Sequence, residues 1–158
     1  MRGFIIFLAF MCLPSCWAAH AYAQFGDIKY PQHFKFFEYV NPQAPKGGEL
    51  VLVPPSRVTS FDKFNPFTLK GTSAPGLGQL VFESLLVGTM DEPTTAYGLL
   101  AEDVNVAADR KSVIFKIRAN ARFNNHDPVT AQDVKHSFDT LVSKEAAQQF
   151  RTLYAEVA

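Results

Sequence analysis

The stretch from Asp109 to Val142 constrains this chain more tightly than any other. A turn at Asp109-Arg110-Lys111 leads into an alternating run, Ser112-Val113-Ile114-Phe115-Lys116-Ile117-Arg118. Val113, Phe115 and Ile117 fall on one face, and Lys116 and Arg118 on the other. Period two with β-branched and aromatic residues predicts a half-buried strand. A polar loop, Asn124-Asn125-His126-Asp127-Pro128, separates it from Val129-Thr130-Ala131-Gln132-Asp133-Val134. Thr130 suits an N-cap, and Asp133 three residues on suits both the return bond of a capping box and the positive end of a helix dipole. Val134, Phe138, Leu141 and Val142 then recur at helical spacing. The unit reads as strand, polar turn and sharply capped amphipathic helix.

The chain has 158 residues and no net formal charge, with 15 basic and 15 acidic side chains. That length suggests at most one globular domain. The start differs from the rest: Arg2, an apolar run from Phe4 to Leu13, then small residues ending Ala21-Tyr22-Ala23. This pattern is a secretory leader, read here as residues 1–23, with cleavage after Ala23 and export from the cytoplasm. The apolar run is too short for a permanent membrane anchor. A competing reading takes Leu13-Pro14-Ser15-Cys16 as a lipoprotein box with Cys16 lipidated. Both cysteines, Cys12 and Cys16, lie in the leader, so the mature chain is expected to have neither a disulfide nor a thiolate ligand. Removing Arg2 leaves 14 basic against 15 acidic residues, a charge of about −1. With no basic run or aromatic-interleaved basic patch, nucleic acid is excluded as an expected partner.

Residues 24–48 are rich in aromatics, prolines and glycine, and read as an extended arm that packs its rings on the domain and ends in a turn. Glu49 to Val53 reads as a short strand stopped by Pro54-Pro55. A loop follows from Ser56 to Ala74, carrying Phe61, Phe64 and Phe67 around the Asn65-Pro66 turn. Ser73-Ala74-Pro75 predicts a helix start, with Leu77, Leu80, Val81 and Leu85 as the buried stripe and Gly88 as the stop. Val104 and Val106 predict a strand pairing with Val113–Ile117 through the turn at 107–111.

Candidate chemistry is sparse. His126, Asp127, Asp133 and His136 form a cluster that suggests a metal or acid–base site. His126 and His136 are ten apart, however, which matches no usual ligand pair. The cluster reads better as a turn plus a capping carboxylate. Ser56, Ser60, Ser73 and Ser84 lack a nucleophile-elbow context. Gly71, Gly76 and Gly78 do not fit a phosphate-binding loop. No cofactor, no metal and no catalysed reaction are expected.

Several phrases carry a resemblance. D-x-x-S-V-x-F-x-I-R (Asp109 to Arg118), A-R-F (Ala121 to Phe123) and P-V-T-A-Q-D-V-x-x-S-F (Pro128 to Phe138) resemble the signature region of family 5 extracellular solute-binding proteins. F-x-Y-V-N-P-x-A-P-K-G-G (Phe37 to Gly48) is similar to the N-terminal arm of the microcin C and oligopeptide branch of that family. S-F-D-x-x-N-P-F-x-x-K-G-T (Ser60 to Thr72) and D-E-P-x-T-x-Y-G-L-L-A-E (Asp91 to Glu102) are similar to further stretches of the same branch. Where the family has Asp-Gly in the turn before the helix, this chain has Asn125-His126-Asp127, and the resemblance implies that Asn125 or His126 takes a glycine-like backbone angle there.

The resemblance implies an α/β fold, a partial first lobe of a two-lobed periplasmic binding protein with a short mixed sheet and flanking helices. Residues 49–158 would be an incomplete first lobe, and the chain a truncated N-terminal part of a longer receptor. It implies the ligand-binding component of an ABC importer for peptides or peptide-like compounds, a monomer docking on an inner-membrane permease. The loop before the first helix would line the cleft, placing Lys70, Gly71, Thr72, Ser73 and Ala74 against the peptide backbone, with Tyr154 nearby. Exposed amides and hydroxyls there would pair with an extended peptide much as a neighbouring strand does. Two other readings are a small secreted interaction module using the aromatic arm, and a secreted hydrolase built on the His126, Asp127 and Asp133 group.

Overall fold

The computed structural model describes residues 19–49, 51 and 61–157. In chain order its elements are β1 (Ala21–Ala23), α1 (Leu77–Leu80), β2 (Leu86–Gly88), β3 (Thr95–Gly98), β4 (Ala101–Val106), β5 (Val113–Ile117), α2 (Ala131–Val142) and α3 (Gln148–Leu153).

The hairpin β4–β5 forms as its alternation predicts. Val106 pairs with Val113, Val104 with Phe115 and Ala101 with Ile117. The turn is closed by the Ser112 carbonyl accepting from Ala107 N–H at 2.9 Å, and Arg110 takes a positive φ of 57°. Phe115 and Ile117 are half-buried, whereas Val113 at the turn end is exposed. The strand begins at Ala101, earlier than Val104, because Ala101 and Val104 both face inward and extend the buried side.

β3 is the centre of a three-stranded sheet of order β1-β3-β2. Ala21 pairs with Tyr97 on one side and Val87 pairs with Tyr97 on the other. Two bonds join this sheet to the hairpin, from Ala19 N–H to the Val104 carbonyl at 3.1 Å and from Val104 N–H to the Ala19 carbonyl at 2.8 Å. Arg118 reinforces the seam, its guanidinium donating to the Leu99 carbonyl at 2.6 Å and the Gly98 carbonyl at 3.1 Å.

The single mixed sheet expected from sequence is therefore corrected to two small sheets whose strand ladders are all antiparallel among the described residues. The loops between β2, β3, β4 and β5 are too short for the crossover of a dozen or more residues that parallel pairing needs. The long helix expected after Pro75 is also corrected. α1 stops at Leu80, and Leu86–Gly88 is strand instead. A single turn of helix is marginal by itself, and the ladder to β3 claims Leu86 and Val87. Leu80 is left 81% exposed and Val81 65% exposed, so neither belongs to a buried stripe. Residues 148–153 form α3, which the sequence reading did not anticipate. The strand expected at Glu49–Val53 falls largely outside the described residues, as does the start of the loop at 56–60. Glu49 and Val51 themselves are exposed and outside the ladders.

The core is aromatic. Tyr97 is fully buried and Tyr30, from the arm, is nearly so; Phe34, Phe37, Ile28 and Val87 pack around them. Tyr97 meets Phe34 and Phe37 near edge-on at 5.2 and 5.7 Å, a favoured arrangement for aromatic quadrupoles. The rings of residues 24–48 are divided: Tyr30, Phe34 and Phe37 turn inward, while Phe36 and Tyr39 stay exposed.

Candidate functional site

The loop from Phe61 to Ala74 is held at both ends. At its tip Asn65 Oδ1 accepts from the Phe67 amide at 2.9 Å, which makes the Asn-Pro turn. Lys63 reaches across with its ammonium 2.5 Å from the Thr68 carbonyl. The loop then runs alongside the α2–α3 junction. Leu69 N–H donates to Glu145 O at 2.9 Å, Ala147 N–H donates to Phe67 O at 3.1 Å, and Thr68 bridges the fully buried Ala146. Phe67 sits near edge-on between Phe82 and Phe150.

The expected ligand residues Lys70, Gly71, Thr72, Ser73 and Ala74 close this loop. Asp62 and Thr72 exchange two bonds: the Asp62 amide donates to Thr72 O at 3.1 Å, and Thr72 N–H donates to Asp62 Oδ1 at 2.6 Å. Lys63 and Ser73 form a parallel bridge beside them. Gly71 has φ 85°, and a Cβ there would stand 2.7 Å from Asp62 Oδ1. Glycine is thus required both by the left-handed backbone and by the close approach of the carboxylate. Lys70, Gly71 and Thr72 are exposed, and Ser73 and Ala74 are half-buried. The Thr72 amide is consequently spent on Asp62 and is not open to a ligand.

Tyr154 stands apart from these five. It follows α3, and its ring meets Phe138 of α2 near edge-on at 5.7 Å. Its link to the loop runs through α3, because Phe150, one turn earlier, packs on Phe67. The sequence reading missed Asp62 and Lys63 as the residues that fix the loop. Their partners lie about ten positions on, and no local periodicity signals such a bond.

The His126, Asp127, Asp133 and His136 group resolves into turn and cap. His126 takes the glycine-like angle, φ 72°. Asp127 is engaged with Asn125 through two bonds, its carboxylate accepting from Nδ2 at 2.7 Å and its amide donating to Oδ1 at 3.1 Å. Asp133 Oδ2 accepts from the Thr130 amide at 2.8 Å and from its hydroxyl at 2.6 Å. These bonds hold the Asp133 carboxyl below its ordinary range, as expected of a carboxylate fixed by donors. Among the described residues no set of three or more His, Cys, Asp or Glu is placed to hold a metal ion.

A concavity of about 350 Å³ lies away from this loop, between the arm and the seam of the two sheets, lined by His20, His33, Glu102, Asp103 and Arg118 among others. Much of its polar lining is already committed to the fold. Arg118 binds the two carbonyls of the seam, Glu102 pairs with Lys116 at 2.6 Å, and His20 Nε2 lies 2.8 Å from the Tyr30 carbonyl. Among the described residues no helix is long and apolar enough to cross a membrane.

Residues 95–157, from the start of β3 to four residues beyond α3, match the model described as bacterial extracellular solute-binding proteins, family 5 Middle. Relatives extend the likeness further toward the N-terminus. The chain is 46% identical over 131 residues to "Uncharacterized protein y4wM" of Sinorhizobium fredii, covering 83% of this chain and 19% of that protein. It is 40% identical over 132 residues to "Probable peptide-binding protein YejA" of Agrobacterium fabrum, covering 84% and 20%. It is 39% identical over 132 residues to "Peptidoglycan-binding protein YepA" of the same organism, covering 79% and 21%. The chain thus spans about a fifth of the length of these relatives.

Proposed function

We propose that this chain is the N-terminal part of a family 5 extracellular solute-binding protein, the receptor of an ABC importer for peptides or peptide-like compounds. The observation that carries the reading is the match of the whole unit from β3 to α3 to that family, with relatives similar over most of the remaining chain. One of those relatives is named as peptide-binding and another as peptidoglycan-binding. Peptides and the stem peptides of peptidoglycan share the amide backbone that this reading takes as the ligand. The microcin C and oligopeptide branch is favoured by the phrase from Phe37 to Gly48.

In this reading residues 49–158 belong to the first of two lobes, and the ligand lies along the loop at Lys70–Ala74. The loop suits such a role, because Asp62 and Gly71 fix its backbone while Lys70, Gly71 and Thr72 face solvent. A preset loop offers donors and acceptors to an extended peptide without first losing conformational entropy. The hydroxyls of Thr72 and Ser73 and the Lys70 ammonium would meet the backbone or terminus of the ligand, while the Asp62-bound Thr72 amide serves only to shape the loop. Lobe closure around the peptide then presents the receptor to a membrane permease, a hinge motion coupled to affinity. The receptor acts as a monomer, catalyses no reaction and needs no cofactor.

The test is a chimera in which residues 19–157 replace the matching segment of the Agrobacterium fabrum YejA protein. Calorimetry with mixed oligopeptides should give saturable binding, with sugars and nucleotides as silent controls. A folded chimera that ignores peptides while the parent binds them contradicts the proposal.

A further inference from the structure

Small residues at the third and first positions before the cut mark a leader-processing site. Three successive triplets of this chain meet that requirement: Cys16-Trp17-Ala18, Ala19-His20-Ala21 and Ala21-Tyr22-Ala23. A cut after Ala19 would put the bulky Trp17 at the third position. Sequence alone leaves the choice among the three open, and the fold separates them.

Residues 19–23 are built into the sheet. Ala19 exchanges two backbone bonds with Val104, the His20 carbonyl accepts from the Gly98 amide at 2.8 Å, and Ala21–Ala23 pair with Thr95–Tyr97. Ala21 is 2% exposed and lies in the same cluster as Tyr30 and Tyr97. His20 also holds the arm, with Nε2 at the Tyr30 carbonyl. A cut after Ala23 removes β1 and leaves one whole edge of β3 bare beside an opened aromatic core. A cut after Ala21 removes Ala19, His20 and Ala21, and with them the bonds to Val104, Gly98 and Tyr30. Bare strand edges are templates for aggregation.

We infer that the leader is removed at the Ala18–Ala19 bond, so that the mature protein begins at Ala19 with β1 intact. The new N-terminus fits its surroundings. The nitrogen of Ala19 already donates to the Val104 carbonyl. As an α-ammonium, charged at neutral pH, it keeps that bond and makes it charge-assisted. The inference rests on reading residues 1–18 as an export leader, and it replaces the cut after Ala23 that the A-x-A pattern suggested.

The test is expression of the complete chain with a C-terminal tag in a Gram-negative host, followed by fractionation and intact-mass measurement of the tagged product. The expected product is periplasmic and begins at Ala19. Ala18→Leu should leave most of the product as precursor, whereas Ala23→Leu should still be cut at the same bond. A periplasmic product beginning at Tyr22 or Gln24 overturns the assigned bond while sparing the leader. A lipidated product beginning at Cys16 overturns it in favour of the lipoprotein box. An uncut cytoplasmic chain overturns the leader and the bond together. Mass reads the cut whether or not a variant folds.

Discussion

Tyr30 and Tyr97, far apart in sequence, meet ring edge to ring face at 5.5 Å, and the Tyr30 amide donates to the Tyr97 hydroxyl at 3.1 Å. That hydroxyl in turn donates to Glu92 Oε2 at 2.5 Å. One phenol therefore ties the N-terminal arm, the central strand and the loop before it into a single core.

Tyr97→Phe keeps the ring packing but strands the Tyr30 amide and frees Glu92. The loss of stability should be about 1–3 kcal/mol, the usual effect of leaving a buried donor unsatisfied. Tyr97→Ala also empties a fully buried ring site and should lose about 3–5 kcal/mol. Urea midpoints of the two variants measure the difference. Equal losses would mean that the hydroxyl, rather than the ring, dominates.

The carboxylate beside this core sets an acid limit. Asp91 accepts from the Lys29 ammonium at 2.7 Å and also from the hydroxyls of Thr89 and Tyr30. These donors hold its carboxyl well below the usual carboxylate range, with Lys29 the largest cause. A depressed folded pKa contributes stability that is present above the ordinary value and lost as pH falls through the folded one. The chain should therefore weaken steadily below about pH 4, and Asp91→Asn should flatten that acid limb. Midpoints across the acid range for both forms check it; parallel curves would exclude Asp91 as the cause.

At the alkaline end Tyr97 acts. Burial first, and the Glu92 carboxylate second, push its phenol up to about 12. A raised folded pKa contributes stability that is complete below the ordinary tyrosine value and lost as pH rises through the folded one. Absorbance titration should show one tyrosine ionising near 12 together with unfolding, and Tyr97→Phe should remove that step.

His126 carries its left-handed angle at a position where glycine has no steric penalty. His126→Gly should raise stability by about 1 kcal/mol, and His126→Ala should not. A midpoint shift for glycine but not alanine is the expected result.

What the sequence made legible were the elements whose signals are local. The β4–β5 hairpin is written in alternation across Val113–Ile117, and the start of α2 in the spacing of Thr130 and Asp133. The glycine-like angle in the next turn followed from the resemblance, which left it to Asn125 or His126, and the structure places it at His126. The illegible parts depend on distant partners. Leu80, Val81 and Leu85 have helical spacing, yet the ladder between Val87 and Tyr97 turns Leu86–Gly88 into strand. Ala21-Tyr22-Ala23 has the composition of a cleavage site, and only its pairing with β3 reveals a strand. At the candidate site the loop residues were named from resemblance, while the bonds from Asp62 that shape them span ten residues and leave no pattern to read.

A peptide backbone running along Lys70–Ala74 would register in amide hydrogen exchange on the peptide-binding chimera, with and without oligopeptide. Exchange across residues 70–74 should slow on binding, and both binding and protection should be lost in Gly71→Ala, whose Cβ would displace Asp62. Peptide binding that leaves these amides unchanged, or that survives Gly71→Ala at full affinity, would contradict it.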